Sequence, residues 1–317
     1  MSTRMRVAVV PPPTVASPQP RIKRRRGHGE AGAAWAYVSP AALIILGLGI
    51  LPMAWSLVLS MQSSDLITPP QWIGLKNYEV ISQDPSFRAA VVHTLVYTAL
   101  FVPLAIAAGL GLALLLNREI RFIGFYRTLV FVPFVVSATA QGVLFSFIFD
   151  SHFGLANAIL HRLHIPTQGF FADEHQALYL LVLIALWSGV GFCVVVYLAG
   201  LQDISKDLIE AAAIDGAGRV ATFRHIIWPA LRPVTVFLVV WETLQALQVF
   251  DMVFVTTRGG PLESTTVVVF FVWQQAFEVF NAGYAAAAAY VLAFGLLVLS
   301  IGIRFAQRRD DKEVSRS

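Results

Sequence analysis

Long apolar runs alternate with short polar, turn-rich stretches along the whole chain. Six runs reach the roughly 20 residues that a helix needs to cross the hydrocarbon core of a bilayer. They fall near 35–61, 89–116, 129–149, 177–200, 234–255 and 283–305. Such runs are far longer than single strands, and a backbone surrounded by lipid must satisfy its own N–H and C=O groups, which a helix does within one segment. The pattern predicts an all-α polytopic membrane protein with six transmembrane helices. A disordered basic tail is expected over 1–34, the membrane domain over 35–305 and a second tail over 306–317.

Within these runs Pro52, Pro103 and Pro133 each remove a backbone donor and bend the helix. Such bends line a cavity in some membrane proteins and are ordinary helix content in others. The last run opens on Gly283, Tyr284 and the alanines 285–289, small side chains that let another backbone approach closely, in this chain or in a partner.

Composition sharpens the picture. Hydrophobic residues make up 57% of the 317 and charged residues 13%, too little charge to cover a soluble domain of this length. The net charge of +4 raises the question of nucleic acid, but the basic residues flank the apolar runs and form no groove within the folded region, so no nucleic acid partner is expected. Lys and Arg resist translocation, and their distribution is lopsided. Only Lys76, Arg88, Arg162 and Arg258 fall in one set of alternate loops, while the remaining 19 of the 23 fall in the other set and the termini. Both termini are therefore expected in the cytoplasm. The proline-rich N-terminal stretch with Arg21, Lys23, Arg24, Arg25 and Arg26 reads as a cytoplasmic tail rather than a cleaved signal, because the apolar run after it is about twice the length of a signal-peptide core. The single cysteine, Cys193, lies in an apolar run and reads as packing. The histidines near the expected outer loops show no metal-ligand spacing, and no metal site is predicted.

The loop at 201–233 reads LQDISKDLIEAAAIDGAGRVATFRHIIWPALRP. Ser205 suits an N-cap, Asp207 suits the positive end of a helix, and Gly216 suits a helix C-terminus. A second short helix is expected over 219–227, broken by Pro229 and Pro233. The pair would present Ala211, Ala212 and Ala213 as a low-profile face, with Glu210 and Asp215 free to pair with basic groups. On spacing alone an amphipathic loop lying on the membrane fits equally well.

The string EAAAIDGAG, followed by Phe223, Ile227 and Pro229, resembles the EAA loop of permease subunits in binding-protein-dependent ABC importers. Ser205 stands where that family usually has proline, and Trp228 where it usually has leucine. WIGLKNY at 72–78 and FDMVFVTTRGGPLEST at 250–265 resemble elements of its carbohydrate class, the MalF-like or glycerol-phosphate-type permeases. The resemblance implies a type I importer permease fold in the prokaryotic cytoplasmic (inner) membrane. It also implies a heterodimer with a second related permease subunit, two ATP-binding subunits, and an external solute-binding lipoprotein or periplasmic protein. Glu210, Ala211, Ala212, Asp215 and Gly216 would then couple the chain to the ATPases. The solute would be a sugar or sugar-like molecule, with glycerol-3-phosphate or glycerophosphodiesters as alternatives.

A solute pathway needs polar groups near the bilayer midplane, where they are costly. Trp241, Gln245, Gln248 and Met252 recur at steps of four, three and four, which is one helical face. An aromatic plate beside two amides suits a polyhydroxylated solute. Glu242 lies ten residues past Arg232, about 15 Å along a helix and near mid-membrane. Ser137 and Gln141 share a face of the third run. Interhelical hydrogen bonding accounts for these polar groups as well as solute contact does. No phosphate-binding loop and no nucleophile–base pair occur in the sequence. The chain is thus expected to be a transport subunit and no enzyme, binding no cofactor itself, with ATP and Mg on its partners. An ion-coupled secondary carrier using Glu242 is the competing class.

Overall fold

The computed structural model of the chain describes the backbone of residues 28–118 and 121–314, and the side chains of 35–118 and 121–302. Most of the tail expected over 1–34 lies outside the described residues. Helix is present from His28 onward, and the last helix runs to Val314, past the expected boundary of 305.

The chain divides into two compact units, Met1–Met53 and Ala54–Ser317. In the first, helix α1 (His28–Ile44) is followed by a wide π-turn at Ile45–Ile50. Helix α2 (Leu51–Ser60) continues directly from that turn, with Pro52 at its second residue. The apolar stretch Trp35–Ser60 is long enough to cross a membrane, and no residue of its most apolar window is buried.

In the second unit, strands β1 (Gln62–Ser63) and β2 (Gln71–Trp72) pair antiparallel, with Gln62 opposite Trp72. Helix α3 (Lys76–Gln83) follows. Buried Asn77 donates from Nδ2 to the carbonyls of Ser60 at 2.9 Å and Gln62 at 3.0 Å, and the Tyr78 hydroxyl lies 2.7 Å from Ser60 Oγ. The Asn-Tyr pair of WIGLKNY is thus a staple that holds the hairpin to α3. Asp65 turns the hairpin loop, its Oδ1 accepting from the amides of Ile67 and Thr68 and from Thr68 Oγ1. Those donors hold its carboxyl below the ordinary carboxylate value.

Helix α4 (Pro85–Leu116) begins at an Asp84 cap that accepts from Ser86 N and Phe87 N, with Pro85 at the first position. Helix α5 (Ile123–Val135) and helix α6 (Ala138–Ile148) replace the single third span that the pattern predicts: the chain bends by 96° between them. Pro133 weakens the end of α5, and Ser137 restarts the helix by accepting from Ala140 N at 3.2 Å. Helix α7 (Leu155–Arg162) lies in the next loop, which Asp150 opens by accepting from His152 N and Phe153 N; its carboxyl is likewise held low by those amides.

Helix α8 (Ala177–Gln202) packs along α4 and α5. The core lies between α4, α8 and helix α11 (Trp228–Leu247), with Leu181, Tyr197, Leu231 and Leu238 fully enclosed. At Gly109 of α4 an added Cβ would stand 2.4 Å from Cys193 Cβ, so the two helices touch there only because the side chain is absent. Helix α12 (Asp251–Thr256), helix α13 (Val268–Phe277) and helix α14 (Ala282–Val314) complete the chain. Tyr284, Ala287 and Ala288 of α14 pack against Ile81, Phe87 and Phe271 of this same chain, which settles where the small-residue face goes. A Cβ at Gly283 would meet the Gln62 carbonyl at 2.0 Å.

The segments at the hairpin end knit together. Tyr284 donates its hydroxyl to Asp84, Ser86 to Glu263, and the Val268 amide to Thr94 Oγ1. His93 Nδ1 lies 3.1 Å from the Thr266 carbonyl, a structural contact. Within FDMVFVTTRGGPLEST, Gly259 takes φ +82° and its carbonyl accepts from Thr265 N, while Thr265 and Thr266 are buried. Among the described residues, five helical stretches are long and apolar enough to cross a membrane, or six with the bent α5–α6 pair as one.

Candidate functional site

Two features stand out from the packed bundle: a cavity in its wall and a short exposed helix at the far end of α11. The cavity encloses about 320 Å³ and is walled by α4, α5, α6, α8, α11 and α12. Of the residues singled out from the sequence, Trp241, Glu242, Gln245, Gln248 and Gln141 line it.

The route to this gathering differs from the helical-face argument. Helix α11 stops at Leu247, and Gln248 and Phe250 leave the helical conformation before α12 begins. Gln248 and Met252 therefore do not continue the register of Trp241 and Gln245. Both still line the cavity.

Trp241 is 43% exposed, and its ring lies 5.6 Å from Phe192 and 6.2 Å from Phe237. Tyr97 and Phe101, stacked at 5.9 Å on α4, form a second aromatic surface of the same cavity. Glu242 is buried, and Oε1 accepts from Cys193 Sγ at 3.3 Å. Cys193 thus does more than fill space: its thiol orients the carboxylate.

Gln141 is buried and spends both donors on the break between α5 and α6, from Nε2 to the carbonyls of Pro133 at 2.9 Å and Val136 at 2.8 Å. The Pro133 carbonyl also accepts from Val136 N at 3.3 Å, so the amide of Gln141 reinforces the turn that ends α5. Its Oε1 remains buried with no hydrogen-bond partner. Ser137 is exposed, caps α6, and does not line the cavity. Tyr97, Phe101 and Asp251 escaped the sequence reading. The first two were detectable as aromatics four apart in one run, and the third as an acid at the end of another.

The loop at 201–233 forms helix α9 (Lys206–Ile214), capped by Ser205 Oγ accepting from Asp207 N at 3.2 Å. Its far end is a Schellman turn. Gly216 takes φ +81°, Ala217 N donates to the Ala212 carbonyl at 2.9 Å, and Gly216 N to Ala213 at 3.1 Å. Serine is thus a competent start at the position where the resembling family has proline.

No residue of α9 is buried. Glu210, Ala211, Asp215 and Gly216 are exposed and Ala212 is half-buried, while Leu208, Ile214 and Val220 present apolar side chains outward. The expected break at Pro229 and Pro233 is absent. Helix α10 (Arg219–Thr222) passes through a π-turn at Phe223–Ile227 directly into α11. Proline lacks the N–H of a normal i to i−4 bond and crowds the carbonyl behind it. The wider π-turn, with Pro229 just after it, moves that carbonyl away, and the helix runs on.

Among the described residues no group of three His, Cys, Asp or Glu side chains is placed to hold a metal ion.

A helical bundle of lipid-length segments with a walled cavity and a projecting short helix has known counterparts. A solved bacterial ABC transporter for import of the acidic polysaccharide alginate superposes with a TM-score of 0.80, covering 89% of this chain and 96% of that one at 22% identity, a likeness of fold. The sulfoquinovosyl glycerol transport system permease SmoG of Agrobacterium fabrum is 31% identical over 92% of this chain and 96% of its own length. The arabinooligosaccharide transport system permease AraP of Bacillus subtilis is 31% identical over 86% and 88%. The family described as the binding-protein-dependent transport system inner membrane component matches residues 85–311, which span the cavity and the projecting helix alike. This multi-pass membrane chain therefore belongs to the binding-protein-dependent transport system inner membrane components, the permease subunits of ABC transporters.

Proposed function

We propose that the chain is the MalF-like half of an ATP-driven importer for sugars or sugar-like solutes, with both termini in the cytoplasm. It pairs with a second related permease and two ATP-binding subunits, and receives solute from an external binding protein. The relatives named for sulfoquinovosyl glycerol and arabinooligosaccharide transport support the solute class. The orientation is supported by three of the four outlying basic residues: Lys76 and Arg88 flank the hairpin end and Arg258 lies in the loop knitted to it, while α9 lies among the basic-rich loops.

One observation carries the coupling mechanism. The exposed α9 joins, through a short Gly-containing turn, a helical run from Arg219 to Leu247 whose other end carries Trp241, Glu242 and Gln245 into the cavity wall. A partner that seats α9 and moves on closing around ATP would therefore pull directly on the cavity, because a helix transmits displacement along its axis without slack. Ala211 and Ala212 give the partner a close approach, the outward Leu208 and Ile214 give it apolar area, and Glu210 and Asp215 give it charge to pair.

The test is uptake by the reconstituted complex carrying Glu210→Arg and Gly216→Pro together. The expected result is ATP hydrolysis uncoupled from uptake, with the complex still assembled or only weakened. Undiminished coupled transport would refute the mechanism. Solute uptake by this polypeptide alone in liposomes would favour an ion-coupled carrier instead.

A further inference from the structure

The cavity wall contributed by this chain is acidic and carries no compensating cation. Glu242 and Asp251 both line it, and among the described residues no Lys, Arg or His does. The nearest candidate along the chain, Arg258, lies with its guanidinium 5.4 Å over the ring of Phe254, which is not a lining residue. No hydrogen bond to the Glu242 carboxylate comes from any described side chain other than Cys193. Gln141 adds a buried acceptor oxygen without a partner, and the donors on exposed lining side chains, the amides of Gln245 and Gln248 and the indole N–H of Trp241, are all neutral.

We infer that this wall selects by charge: it accepts uncharged polyhydroxylated solutes and rejects carboxylates, sulfonates and phosphates. Hydroxyl groups donate to carboxylates and to an unpaired amide oxygen, while the faces of Trp241 and Tyr97 cover the apolar faces of a sugar ring. An anionic solute finds neutral donors but no cation, and it brings a like charge beside Glu242 and Asp251. The inference rests on the cavity being part of the solute path. It separates this chain from relatives named for an acidic polysaccharide or a sulfonated glycoside, and within the sugar-like class it excludes glycerol phosphates.

Trp241 itself reports on the question. In the complete importer in nanodiscs, its emission is isolated as the difference between wild type and Trp241→Phe, and quenching by caesium, iodide and acrylamide is compared. Caesium should quench roughly ten-fold better than iodide after correction for free tryptophan, because two carboxylates lining the same cavity attract the cation and repel the anion. Glu242→Gln with Asp251→Asn should bring that ratio close to one. Glu242→Gln keeps an acceptor for the Cys193 thiol, so the wall should retain its shape.

In the same complex, maltotriose should protect Trp241 from acrylamide. Trigalacturonate should protect only after the two neutralising substitutions. Equal protection by both saccharides in wild type, or iodide quenching as strong as caesium quenching, would overturn the charge rule while leaving the cavity in the path. Protection by neither saccharide in either complex, together with undiminished uptake by Trp241→Ala, would remove the cavity from the path and overturn both readings.

Discussion

The contact between α4 and α8 at Gly109 allows the helix packing to be tested atom by atom. Replacing Gly109 with alanine places a Cβ 2.4 Å from Cys193 Cβ and 3.5 Å from that residue's Cα and carbonyl carbon. Two non-bonded carbons settle at about 3.5–4.0 Å, so the helices must part by about 1 Å or more. They are the most extensively paired helices in the bundle, and parting them loosens contacts along both lengths. Forcing one extra methyl into a packed interior costs about 1–3 kcal/mol, so G109A should lower the unfolding temperature of the purified complex measurably.

The geometry also says what restores it. The obstruction is the Cβ of Cys193, not its sulfur. Cys193→Ala keeps that atom and should leave the destabilisation in place, whereas Cys193→Gly removes it. A double-mutant cycle of stability should therefore show a coupling of about 1–2 kcal/mol between G109A and C193G and under about 0.5 kcal/mol between G109A and C193A. The cycle cancels the intrinsic cost of a helical glycine and the lost thiol contact to Glu242. Rescue by C193A as full as that by C193G, or a wild-type melting temperature for G109A alone, would refute the packing argument.

Two further outcomes follow from the loops. Asn77→Asp preserves shape but loses both donated hydrogen bonds, leaving the Ser60 and Gln62 carbonyls unpaired. It should cost about 1–3 kcal/mol and do no better than Asn77→Ala, which protease sensitivity of the hairpin will report. Asp65 and Asp150 are held below their ordinary value of 3.8 by amides they accept from. A depressed folded value means that the turns are fully supported above about 4 and lose that support as the pH falls through the lower folded value. Hydrogen-exchange protection of Ile67 and Thr68, and of His152 and Phe153, should stay flat from neutral pH to about 5 and fall only in stronger acid. Asp65→Asn should abolish the dependence at the first pair of amides, and protection falling already at neutral pH would contradict the assignment.

Much of this protein could be read from its sequence because the bilayer imposes a coarse rule. A backbone in lipid must bond to itself over about 20 residues, so apolar length alone marked every membrane-length segment. Local backbone chemistry was equally legible: Ser205 caps α9 and Gly216 ends it, since both effects depend only on neighbours in the chain. The family likeness was visible in EAAAIDGAG and WIGLKNY and agrees with the family match over residues 85–311.

Tertiary structure decided the rest. The third apolar run does not reveal that it breaks by 96°, because the break is held by Gln141 donating to the carbonyls of Pro133 and Val136, a side chain whose reach only the folded geometry shows. Pro229 and Pro233 read as helix breakers, yet the π-turn before Pro229 relieves the crowding there and Pro233 sits inside the continuous α11. Most of all, the cavity draws on Tyr97, Gln141, Trp241 and Asp251 from four helices. Periodicity describes one helix at a time, whereas a cavity is a relation between helices, set by how closely residues such as Gly109 and Cys193 let them approach.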